Sequence, residues 1–134
     1  MLFQLSLMIA FAFASLLANQ EKSVTKCCTS GAERLAPQKV KALLDTTEPI
    51  HAPCCADMLH IKGTMILSIE VGTDGEVTCV AYVSGHPIIL GVAIDSVRQW
   101  RFRPHAVKGL KRNFCGRVAL RYEATEHAVK YEVI

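Results

Sequence analysis

One stretch constrains this chain more than any other: Val97-Arg98-Gln99-Trp100-Arg101-Phe102-Arg103-Pro104. An apolar stripe at helical spacing, Leu90, Ala93, Ile94, Val97 and Trp100, runs into two aromatics and then a proline. Pro104 cannot continue a helix, and Trp100 and Phe102 are large enough to pin a helix end against a sheet. The spacing predicts a helix from Ile88 to Arg101, entered past Ser84-Gly85-His86-Pro87, where a proline suits the first turn and Ser84 can cap.

Strands surround that helix. In Thr64 to Val71, Met65, Leu67, Ile69 and Val71 alternate with polar positions, which predicts a strand with one buried face. Gly72-Thr73-Asp74-Gly75 reads as a hairpin turn, with Glu76 to Ser84 as the returning strand. Beyond a basic loop, Phe114 to Tyr122 reads as a third strand, with Val118, Leu120 and Tyr122 inward and Arg117 and Arg121 outward. A short helix opening at Pro53 precedes this set. The expected fold is α+β: a short helix, then ββαβ, with a three-stranded antiparallel sheet in the order 2-1-3 packed on one main helix. In that order the outer edge of Phe114–Tyr122 is free to accept an extended peptide or a second copy of the chain.

The remainder divides by composition. Residues 2–18 carry no charge, and no Lys or Arg precedes them. They read as a cleaved signal peptide, an uncleaved membrane anchor or a buried core helix. Residues 19–49 form a polar connector with helical spacing from Ala32 to Leu44, residues 50–125 the compact domain, and residues 126–134 a tail that could add a short strand. Six cysteines, Cys27, Cys28, Cys54, Cys55, Cys79 and Cys115, suit disulfides in an exported chain. Adjacent cysteines rarely bond each other, so the Cys27-Cys28 pair could bond across to the Cys54-Cys55 pair, with free buried thiols as the alternative and the connectivity open. Cys79 and Cys115 could then bond only as strand neighbours. The alternative function is an exported redox or metal-binding protein that uses the two Cys-Cys pairs.

No catalytic constellation emerges, and no enzyme activity or cofactor is expected. Five histidines are scattered without metal-ligand spacing, no Cys-x-x-Cys occurs, and the Gly72–Gly75 loop joins strands rather than opening a helix. Net charge is only +3, yet eight Lys or Arg and no acid lie between Arg98 and Arg121. An exported chain rarely meets nucleic acid, so this basic region suits acidic groups on a protein partner, or simply solvent.

Several of these features, in order, resemble the C-terminal domain of the TonB family. They are Pro53 and Ala56, Gly63 before a strand, the Asp74-Gly75 turn, Ser84-Gly85 before a helix, Trp100-Arg101-Phe102 with Pro104, and Gly109 in the next loop. The resemblance covers Pro53 to Tyr122. It implies a periplasmic domain, free or anchored to the inner membrane, that grips an extended segment of an outer-membrane transporter by strand addition and passes on mechanical energy. On that reading Phe114, Arg117, Ala119 and Arg121 contact the partner, with Arg98, Arg101 and Arg103 assisting. Trp100, Phe102, Pro104, Gly75 and Gly85 are structural anchors. The chain departs from the family in having no Pro-rich arm: only Pro37 and Pro49 lie between the apolar stretch and the matched region.

Overall fold

The structure, a computed structural model, describes residues 27–29, 31–54, 56 and 60–134. The apolar stretch 2–18 and most of the short helix expected from Pro53 to Leu59 lie outside the described residues.

The hairpin forms where Met65, Leu67, Ile69 and Val71 alternate. Strand β4 (Lys62–Val71) buries those four side chains completely. It turns through Gly72–Gly75 into β5 (Val77–Ser84). The turn is held by Gly72 N donating to the Glu76 carbonyl at 2.8 Å and by Glu76 N donating to Asp74 Oδ1 at 3.1 Å. Only a residue at positive φ can close it, and Gly75 has φ +86°. Phe102 N donates to the Gly75 carbonyl at 2.9 Å, and a Cβ on Gly75 would lie 2.0 Å from the Phe102 carbonyl oxygen. A Gly75→Ala substitution therefore meets both backbone strain and a backbone collision. The expected loss is about 3 kcal/mol, at the upper end of ordinary point mutations, measured as a lowered midpoint in urea unfolding.

Helix α2 (Pro87–Arg98) starts at a proline, and its N-cap is the His86 imidazole, which accepts from Ile88 N at 3.2 Å, rather than Ser84. It buries Ile89, Ala93, Ser96 and Val97 in the same core as the four apolar residues of β4, whereas Leu90 and Ile94 are only half-buried. The stripe is rotated from the expected one because Ser96 turns inward: its Oγ donates to the Glu48 carbonyl at 2.7 Å and accepts from Trp100 Nε1 at 3.3 Å. The helix stops at Arg98, and Trp100 follows with no exposure at all. Strand β6 (Arg101–Phe102) comes next.

The architecture differs from a three-stranded sheet on one main helix. The protein is mostly β, with a curled five-strand antiparallel path, several small pairings and two helices among the described residues. The extra strands come from segments whose patterning is too short to read. Residues 27–52 supply β1 (Glu33–Arg34), helix α1 (Pro37–Leu43), β2 (Leu44–Thr46) and β3 (Ile50–His51). The tail supplies β10 (Ala128–Val133). The order is β3-β10-β9-β4-β5, where β9 is Phe114–Ala124. Strand β1 adds in parallel to the start of β9, with Glu33 opposite Phe114 and Arg34 opposite Cys115. Two small sheets stand apart: β2 pairs β6, and β7 (His105–Val107) pairs β8 (Leu110–Arg112). Both helices cover the core face of the sheet. Val40 of α1 is fully buried there, beside Gly116.

Trp100 ties the tail into this core. Its ring stacks on Tyr131 of β10 at 6.0 Å between centroids, and the Tyr131 hydroxyl donates to the same Glu48 carbonyl that Ser96 uses, at 2.6 Å. Helix end, tail and the approach to β3 thus meet at the Glu48 carbonyl.

Candidate partner-binding surface

The edge expected to bind a partner is already in use. Along β9, residues Leu120 to Ala124 pair with β10, and Phe114 and Cys115 pair with β1. Between them, the Ala119 carbonyl accepts from Ile134 N at 2.9 Å. The proposition that the rim of Phe114–Tyr122 stands open is therefore overturned. The chain's own ends cover it, because β10 repeats the short alternation Val129, Tyr131, Val133 that pairing requires.

The individual residues expected to touch a partner have other work. Phe114 is a core side chain with no exposure, edge-on to Phe102 at 5.8 Å and to His105 at 6.0 Å. Arg121 pairs with Glu132 of the tail at 2.7 Å on the exposed face. Arg101 lies 3.6 Å from Glu76. Arg103 donates through Nη2 to the Ala42 carbonyl and through its backbone N to the Leu43 carbonyl at 2.7 Å, fastening α1. Arg98 ends α2. Arg117 is exposed, on the outer face of β9 opposite Ser68. The structure does not gather these arginines: Arg98, Arg101 and Arg103 serve the helix end and α1, while Arg117 and Arg121 lie on the outer face of the sheet. The anchors sit in the folded body: Trp100 and Phe102 are buried, Pro104 separates β6 from β7, and the Gly85 carbonyl accepts from the Tyr82 hydroxyl at 3.1 Å.

The cysteines also differ from expectation. Cys27 bonds Cys79, and Cys28 bonds Cys115, in place of bridges to Cys54 and Cys55. In the sheet, Cys79 on β5 and Cys115 on β9 both face Glu70 on the strand between them. Two strand spacings amount to roughly 9–10 Å, too far for Cys79 and Cys115 to bond each other. Each can instead reach one member of an adjacent pair laid across the middle strand. Glu70, only 6% exposed, supports that strap, accepting from Cys28 N, from Thr29 N at 3.4 Å and from Thr29 Oγ1 at 2.6 Å. The Cys27-Cys28 pair is thus spent on structural bridges. Among the described residues no group of three His, Cys, Asp or Glu could hold a metal, and no helix is long and apolar enough to cross a membrane.

What remains open is the opposite side of the sheet. Among the described residues strand β5 pairs only with β4, so the outer side of Val77–Ser84 carries no ladder there. Its sequence, Val-Thr-Cys-Val-Ala-Tyr-Val-Ser, contains no Lys, Arg, Asp, Glu or Pro. Charges, prolines and bulges are what proteins place on exposed edges to prevent pairing. Here the register shifts near each end of the β4–β5 ladder, but the middle, Leu67 to Glu70 against Tyr82 to Cys79, runs regularly. The other open segment, Lys130 to Val133 of β10, is shorter and carries Lys130 and Glu132. The order 2-1-3 already places β5 at an edge, opposite the Phe114–Tyr122 edge expected to bind the partner. The signal was present as an uncharged, Val-rich strand.

Against known proteins, residues 53–124 match the family model described as Gram-negative bacterial TonB protein C-terminal. No curated protein and no solved structure matches the chain. The matched span is 72 of the 134 residues (124 − 53 + 1) and contains β4, β5, α2 and β6 to β9, the hairpin, the helix with its Trp100 anchor, and the long strand. The chain belongs to the TonB C-terminal family, a kind of envelope protein.

Proposed function

We propose that this protein binds an extended segment of an envelope partner by adding it as a strand to the outer edge of β5. The carrying observation is that edge: eight residues, unpaired on one side among the described residues, free of charge and proline. Strand addition takes its affinity from main-chain hydrogen bonds and its selectivity from alternate side chains of the added strand. The partner class is the periplasm-facing segment of an outer-membrane transporter, and the protein acts in the periplasm without enzymatic chemistry. Its role in energy transfer is to hold that segment while load is applied. The two disulfides suit such a role, because they tie β5 and β9 covalently to the strap.

The test is site-specific photo-cross-linking in the bacterial envelope. A photoreactive residue replacing Tyr82, which is half exposed on β5, is expected to capture a transporter segment. The same residue replacing Lys130 is expected to capture none. A homodimer adduct from the Tyr82 position would replace peptide capture with self-pairing, and capture only from the Lys130 position would move the site off β5.

A further inference from the structure

The β7–β8 hairpin belongs neither to the main sheet nor to the proposed binding edge. Val107 pairs with Leu110 across a two-residue loop, Lys108-Gly109, in which both residues have positive φ, +53° and +78°. That is the loop geometry for which Asn-Gly or Gly-Gly is usual. A lysine accepts the left-handed conformation only at a conformational cost, so a charge is held at the tip where a neutral residue would sit more easily. Next to it, Leu110 is 71% exposed, more than any other exposed large apolar residue of the described chain. Every residue from Lys108 to Asn113 is exposed, and Lys108, Lys111 and Arg112 form no ion pair among the described residues.

The base of the hairpin is as firm as its tip is exposed. His105, 8% exposed, stacks edge-on against Phe114, and its Nε2 lies 2.7 Å from Glu33 Oε2 of β1. Phe114 faces Val71 at the end of β4, one residue beyond Glu70, over which the Cys27-Cys28 strap is bonded. The hairpin and the point where the upstream chain joins the domain therefore share one end of the sheet. In sequence, the uncharged stretch 2–18 lies only eight residues before Cys27.

We propose that this hairpin is a membrane-contacting finger that docks on a phospholipid surface containing anionic lipid. Leu110 enters the interfacial region, and Lys108, Lys111 and Arg112 meet the headgroup phosphates. A nucleic acid or an acidic protein surface would satisfy the three cations but gains nothing from the leucine that stands in water between Lys108 and Lys111 in sequence. An exposed leucine at a hairpin tip with cations on both faces is matched by an interface with acyl chains below and negative charge above. Docking would orient the domain with this end toward the bilayer and leave β5 running away from it, since Val77 pairs with Val71 at the same end. The proposal uses the envelope character of the family and does not depend on strand addition at β5.

The experiment places a reporter at the tip of the full chain. A Leu110→Trp variant is mixed with vesicles whose acyl chains carry bromine, a short-range quencher of indole fluorescence. The native Trp100 is fully buried and provides the unquenched background. Quenching is expected in vesicles containing phosphatidylglycerol, with little in pure phosphatidylcholine, and it should weaken as salt is raised. Adding Lys108→Glu, Lys111→Glu and Arg112→Glu should lower the apparent partitioning at least on the order of a hundredfold, at about fivefold for each cation lost and more for the repulsion each carboxylate adds. Unchanged thermal unfolding of each variant shows that the domain is intact. Absence of quenching in anionic vesicles overturns the proposal. So does quenching of equal size in the charge-reversed variant, or displacement by a soluble polyanion with no dependence on Leu110.

Discussion

Replacing Cys27 and Cys28 together by serine is expected to lower the thermal midpoint by about 20 °C, the larger of two effects that follow directly from this fold. The bridges close sequence separations of 52 and 87 residues, and the loop-entropy relation gives about 4 kcal/mol for either alone. The two loops overlap and leave the chain from neighbouring residues, so their effects do not add, and the double variant is expected to lose little more than the larger single one. The same substitution frees the strap from Glu70, whose carboxylate then loses the donors of Cys28 and Thr29 that cover it. Peptide mapping without reduction gives an independent readout. Trypsin leaves Cys27 and Cys28 on one fragment, 27–34, with Cys79 on 63–98 and Cys115 on 113–117. A single linked species of all three fragments is expected. Linkage of 27–34 to the fragment 42–62, which holds Cys54 and Cys55, would show the other pairing. An unchanged midpoint on serine replacement would remove the bridges from the stability of the fold.

The second large effect is expected at Trp100. Truncation to alanine should cost about 3–5 kcal/mol, because the ring is completely buried and its loss leaves a cavity that the surrounding strands cannot fill. Set against a typical total of about 5–15 kcal/mol, that is enough to unfold a sizeable fraction of the protein near physiological temperature. The loss should also be uneven. Trp100 stacks on Tyr131, and both reach the Glu48 carbonyl, Trp100 through Ser96. Amide exchange in the Trp100→Ala variant should therefore quicken in β10 and β3 more than in β4. A Tyr131→Phe variant isolates the hydroxyl and should cost only about 1 kcal/mol, the usual worth of one hydrogen bond. Uniform acceleration across the sheet would show that Trp100 supports the core without holding the tail.

How far the sequence reveals this molecule depends on the length of each pattern. Strand β4 declares itself through four alternating apolar residues, α2 through its stripe and proline start, and the Gly75 turn through the only residue type that closes it. All of these lie inside the span that the family model matches. The segments that reshape the sheet lie outside that span or are very short. Strands β1 and β3 have two residues each, and β10 has six with only three apolar positions in alternation. Patterns of that size form strands only because a longer neighbour supplies the ladder, and no local signal says which neighbour that will be. The consequence for the binding surface is direct. Reading 50–125 without its flanks leaves two open edges, Phe114–Tyr122 and the returning hairpin strand, whereas β10 and β1 close the first and leave the second, β5.

The arginines illustrate the same limit. A run of eight cations without an acid looks like one surface, yet strand alternation and the helix end scatter it. Arg101 goes to Glu76, Arg103 to the carbonyl of Ala42, and Arg121 to Glu132, each a partner distant in sequence or on a flank. The disulfides were hidden for a related reason. Cys79 and Cys115 are separated by 35 residues of chain, yet both sit beside Glu70 once β4 lies between β5 and β9. That register explains why an adjacent cysteine pair can cross-link two strands that do not touch.

The central claim is that β5, not β9, is the edge that receives a partner, and amide hydrogen exchange tests it most directly. The full chain is compared alone and with a peptide copied from the periplasm-facing segment of a transporter it captures. Slowed exchange confined to Val77–Ser84, with Ala128–Val133 as protected as before, is the expected result. Slowed exchange along Phe114–Ala124 accompanied by release of Ala128–Val133 would contradict it, because the peptide would then have taken the place of the chain's own tail.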